Sequence, residues 1–125
     1  MQKLTADWIR KAEGDWKVAH DVAAAVRPVK EAICFHCQQA AEKYLKALLQ
    51  ELGLPVRRTH DLEALLADLL PHHGELRRLR RGLSFLSDYA VEARYPGRDA
   101  TKRQMMAALR WAERVREACR SLLGI

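Results

Sequence analysis

Residues that interrupt regular structure are scarce in this chain: 6 glycines and 4 prolines among 125 positions. No run of alternating apolar and polar residues is long enough to suggest a strand, and no repeat or low-complexity tract occurs. Cysteines number 3, an odd count that argues against a disulfide framework in a core-forming domain. Apolar runs stay far short of the roughly 18 residues that a membrane-spanning helix needs. The opening MQKLTADWIRKAEGDW is amphipathic and carries acids, unlike a signal peptide, so the cytoplasm is the expected compartment. The phosphate-loop, dinucleotide and zincin signatures are missing, and no serine stands in a nucleophile-elbow context.

What is present is 49% hydrophobic and 30% charged, a globular balance. Residues 1–125 read as one domain, able to bury about two-thirds of the unfolded surface. The net charge of +6 is unevenly placed: residues 1–74 hold 10 Lys+Arg against 10 Asp+Glu, and residues 75–125 hold 12 against 6. The excess in the second block suggests an anionic partner, nucleic acid or an acidic protein surface, or else merely soluble basic helices.

Apolar spacing of three and four predicts helices throughout. The first spans residues 7–26, with a stripe of Trp8, Ala12, Trp16, Ala19, Ala23 and Val26. The second spans 29–52 on Ile33, Cys37, Ala41, Tyr44, Leu48 and Leu52, and Gly53 ends it. A short third helix covers 60–70, with Thr59 or Asp61 as its cap. The fourth covers 75–93 on Leu76, Leu79, Leu83, Leu86, Ala90 and Ala93, with Arg77, Arg78 and Arg81 off that seam. The last follows Thr101, which stands at capping-box spacing from Gln104. The expected fold is therefore all-α, an up-and-down bundle of four long helices plus one short helix.

Few residues invite chemistry. Cys34 and Cys37 form a C-x-x-C inside a helical pattern with no second ligand pair, which reads as buried core, and no metal site is expected. His60, in RRTHDL, stands at a helix start beside Arg57 and Arg58: either a general base with a phosphate-holding pair, or a surface histidine beside a cap. Arg94 and Tyr95 stand before another helix start, either as an anion site or as a loop clamp. His20 and His36 read as satisfied helical histidines, His72 and His73 as a turn, and Trp16 and Trp111 as core.

Taken together, FHCQQAAEKYLKALL, a glycine, RRTHDL with its leucines, and SDYAVEARYPG resemble the HEPN family (higher eukaryote and prokaryote nucleotide-binding domain) over nearly the whole chain. The resemblance implies a helical homodimer, paired with a minimal nucleotidyltransferase in a toxin–antitoxin type system, with a nucleotide or RNA as ligand. The residues it marks for nucleotide or anion binding are Gln39, Glu42, Lys43, Lys46, His60, Asp61, Arg94 and Tyr95. No cofactor beyond such a nucleotide is expected, and no membrane. Ribonuclease members carry an R-x(4–6)-H motif. Here the positions that His60 would require hold Gly53, Leu54 and Pro55, and no other histidine finds its arginine either. A tyrosine that some members carry two residues after the histidine is Leu62 here. A binding module is thus the expected role, with a metal-independent ribonuclease built on His60 and nearby arginines as the alternative.

Overall fold

The computed structural model describes residues 1–125 except Ala93, Arg94 and Arg98, with Val91 and Glu92 described by backbone alone. Helix α1 spans Lys3–Ala23, α2 Lys30–Glu51, α3 Leu62–Leu69, α4 Arg80–Ser87, α5 Tyr89–Glu92 and α6 Lys102–Leu123, with a 3₁₀ segment at Gly74–Leu79. No strand occurs among the described residues. Helix α2 is the axis of the bundle: α1 and α6 pack along it, and α3, α4 and α5 close its remaining side. Its buried residues come from most of its circumference, Ile33, Cys37, Tyr44, Leu45 and Leu49 among them, as expected of a helix surrounded by protein. The start of α1 lies against the end of α2, through Gln2 and Thr5 on Glu51. The start of α6 lies against the start of α2, where Ala100 N–H donates to Glu31 Oε1 at 3.0 Å. Helix α1 therefore runs antiparallel to α2, and α6 runs parallel to α2.

Several boundaries differ from the periodicity. Helix α1 begins four residues earlier than expected, because Glu51 accepts from the Gln2 N–H at 3.0 Å and the Thr5 hydroxyl at 2.8 Å and so pins that end. It stops at Ala23, short of Arg27, whose helical conformation Pro28 disfavours. Val26, placed on the stripe, is consequently 99% exposed. The fourth helix is not continuous. It starts as the 3₁₀ segment and pauses at Asp88, although Leu76, Leu79, Leu83, Leu86 and Ala90 all remain buried as the seam requires. Ala93 lies outside the described residues.

Other signals translate directly. Gly53 has φ 71°, a left-handed turn that glycine adopts without strain, and Leu54 N–H then reaches back to Leu49 O at 3.0 Å. Thr101 and Gln104 form a reciprocal capping box. Cys34, Cys37 and Cys119 are buried free thiols, and burial pushes the Cys34 thiol up to about 11. Helix α1 is tied to α6 by polar contacts: Glu13 accepts from Arg116 at 2.9 Å and Arg120 at 2.7 Å, and Trp16 Nε1 donates to Glu113 at 2.9 Å.

Candidate functional site

The site grows from a row on α2. Gln38, Glu42 and Lys46 stand four residues apart and so stack along one line of the helix. All three are buried, Glu42 at 4% and Lys46 at 6% exposure. A buried charge is costly unless paired and hydrogen-bonded, and here the row satisfies itself. Glu42 Oε2 accepts from Lys46 Nζ at 3.0 Å, while Oε1 accepts from Gln38 Nε2 at 3.3 Å and from His60 Nδ1 at 2.8 Å. Gln38 Nε2 also donates to the His60 carbonyl at 3.1 Å. One helix thus holds both the backbone and the ring of His60.

Because an ionised carboxylate only accepts, Nδ1 carries the proton and Nε2 is left as the free ring nitrogen. The His60 side chain is 61% exposed. It borders a cleft of about 450 Å³, with Asp61, Glu63, Ser84, Ser87 and Asp88 around it. An oriented imidazole at a cleft can accept or relay a proton. The cleft's other charged groups are carboxylates, which favour hydrogen-bond donors over phosphates.

Most of the rest of RRTHDL is committed to structure, while Arg58 is exposed with no ion pair or hydrogen bond among the described residues. Asp61 caps α3, accepting from Glu63 N at 3.0 Å and Ala64 N at 3.3 Å. Thr59 Oγ1 accepts from Asp61 N at 3.1 Å, and Leu62 N–H donates to Ser87 Oγ at 3.0 Å. Arg57 grips Asp68 through two bonds of 2.7 and 3.0 Å, so its guanidinium is turned away from His60.

The sequence-marked residues fall into two groups and a remainder. Gln39, Glu42, Lys46, His60 and Asp61 belong to the α2–α3 edge, with Gln39 Nε2 donating to Gln38 Oε1 at 2.7 Å. Lys43 faces α1, where Asp15 takes it on one oxygen and His36 Nδ1 on the other, the latter at 2.8 Å. Tyr95 is 60% exposed, and Arg94 lies outside the described residues. Gln38, Asp15, His36, Ser87 and Asp88 were not marked by the sequence as site residues. The four-residue spacing of Gln38, Glu42 and Lys46 was the readable signal for the first of these; the others meet the site only through tertiary packing.

A helical bundle with a polar row on its central helix, gripping the histidine of a Thr-His-Asp-Leu turn, defines the class. The HEPN domain family matches residues 5–122, and the chain belongs to that family. Among solved structures, TT1696 from Thermus thermophilus is similar at 24% identity with a TM-score of 0.82, covering 96% of this chain and 98% of that one. ST0689, described as an archaeal HEPN homologue, is similar at 27% identity with a TM-score of 0.76, covering 98% of each chain. No curated protein matches the chain. No helix among the described residues is long and apolar enough to cross a membrane.

Proposed function

We propose that this HEPN-domain chain is a binding module: a homodimer that docks a minimal nucleotidyltransferase, in a toxin–antitoxin type pair, with the His60 cleft as the contact or nucleotide-holding edge. The observation that supports it most is the carboxylate lining of the cleft beside His60. Lys46 is committed to Glu42, Lys43 to Asp15 and Arg57 to Asp68, while Asp61, Glu63 and Asp88 line the cleft. A nucleotide there would be held by its base and ribose hydroxyls, which can donate to those carboxylates, and not by its phosphates. Purification of the tagged chain from native extract should recover a small nucleotidyltransferase at a fixed ratio to the dimer. Recovery of self-associated chain alone, with no binding of ATP by calorimetry, would count against the reading.

A second reading rests on the Glu42–His60 pair. A carboxylate on Nδ1 fixes the tautomer and leaves Nε2 as a general base, the arrangement a metal-independent ribonuclease needs for the ribose 2′-hydroxyl. It predicts RNA cleavage in the presence of chelator that His60→Ala abolishes. Cleavage that survives this substitution removes His60 from the role.

A further inference from the structure

The unbalanced charge of the second half of the chain is gathered in one place. Arg77, Arg78, Arg80 and Arg81, from the 3₁₀ segment and the start of α4, face Arg114 of α6 across a groove of about 760 Å³. All five guanidinium groups are solvent-exposed, and none has an ion pair or hydrogen bond among the described residues. By contrast, Arg10, Arg57, Arg116 and Arg120 each pair with a carboxylate. Trp111 lies in the groove, partly exposed, with the Arg114 guanidinium 4.8 Å from its ring centroid. The indole rests on Gly82, where a Cβ would come within 2.0 Å of Cε3. The groove continues in two directions. A neighbouring hollow of about 540 Å³ shares Arg78, Trp111 and Arg114 with it. The His60 cleft shares Glu63 and Ser84 with it.

We infer that this groove binds a single-stranded nucleic acid. Clustered unpaired guanidinium groups repel one another and are relieved by a polyanion. A phosphodiester strand supplies one charge per nucleotide together with flat bases, and an arginine-lined groove with an aromatic ring receives both. A duplex hides its base faces from Trp111, and an acidic peptide offers charge without a ring to stack. Glu63 and Glu117 are the carboxylates along this path. Glu63 stands where the arginine groove meets the His60 cleft, so the strand's phosphates follow the arginines and its end reaches the carboxylate-lined edge. This inference does not depend on the nucleotidyltransferase reading.

The test is fluorescence anisotropy of a labelled single-stranded oligouridylate titrated with the full chain at several salt concentrations. Each phosphate neutralised contributes about 0.7 to the slope of log affinity on log salt, so engagement of all five arginines predicts a slope of roughly −3.5. The double variant Arg77→Ala with Arg81→Ala removes two exposed side chains, should fold normally, and should make the slope shallower by about 1.4. Trp111→Leu should weaken binding on the order of tenfold at fixed salt through lost stacking. Should that variant unfold, Arg114→Ala probes the same platform from the exposed side. Salt-insensitive binding, an unchanged slope in the double arginine variant, or competition by a matched duplex or by polyglutamate as strong as by the single strand would overturn the inference.

Discussion

Substituting Glu42 by glutamine isolates the charge on which the polar row depends. Glu42 and Lys46 are 4% and 6% exposed and pair at 3.0 Å. The glutamine side chain keeps the shape and one acceptor, so His60 Nδ1 can still be held. Lys46 cannot be satisfied in the same way and becomes an unpaired cation inside the bundle. Breaking a buried pair from one side costs about 3–5 kcal/mol. The retained acceptor puts this variant near the lower end, about 3 kcal/mol. In a domain of this size each kcal/mol lowers Tm by roughly 3–5 °C, so the expected loss is about 10–15 °C. Urea unfolding followed by circular dichroism should show the midpoint fall with the slope unchanged. The double variant Glu42→Leu with Lys46→Leu removes both ions and should lie within about 1.5 kcal/mol of the parent. A loss under about 1 kcal/mol for Glu42→Gln would mean that Lys46 reaches water and the pair behaves like a surface salt bridge. A double variant as damaged as the single one would refute the reasoning from the other side.

Gly82→Ala should destabilise by about 1–3 kcal/mol, since the added methyl meets Trp111 at 2.0 Å and the indole must leave its place. The shift should be visible in tryptophan fluorescence, and an unchanged spectrum with unchanged stability contradicts the packing. The buried thiols predict a loss of stability in alkali. Cys34 is raised from 9.0 to about 11 by burial, assisted by the nearby Glu31 charge. The fold therefore favours the neutral thiol, and its contribution is complete below pH 9 and declines as pH rises towards 11. Burial raises Cys37, Cys119 and Tyr44 in the same direction. The urea midpoint should fall between pH 8 and pH 10.5 by up to about 1.4 kcal/mol per pH unit for each such group, and a flat or rising midpoint contradicts the burial.

Much of the fold was legible because helical spacing is a property of the chain itself. The second helix, the capping box at Thr101 and the buried leucines from Leu62 to Leu86 follow from local rules. The misplaced ends had non-local causes. Lys3 is helical because Glu51, almost fifty residues away in sequence, holds the preceding turn, and no periodicity carries that information. The same limit applies to the site. The His60–Glu42 bond joins residues whose relation depends on how the loop after Gly53 returns across α2. Arg57, adjacent in sequence to the site, is removed from it by Asp68 one helix later. Sequence proximity suggested a cluster of cations around His60, and tertiary pairing takes Arg57 out of it.

The polar row also bears on what His60 is for. If α2 and α3 needed only to be joined, leucines at positions 42 and 46 would serve, since apolar replacement of a buried ion pair is often neutral or stabilising. What leucines cannot do is fix one ring nitrogen of an exposed imidazole while leaving the other free. Three polar side chains, Gln38, Glu42 and Lys46, are committed inside the bundle to the orientation of one residue at its surface. The carboxylates around that residue, Asp61, Glu63 and Asp88, favour an incoming group that donates hydrogen bonds or carries positive charge. A docked protein can supply such a group, and so can a second copy of this chain. The binding and ribonuclease readings then differ in where the cation comes from. Chelator-resistant RNA cleavage by the isolated chain would mean that it assembles its own, and cleavage seen only with the partner present would mean that the partner brings it. Tight docking without cleavage leaves His60 as an oriented contact residue.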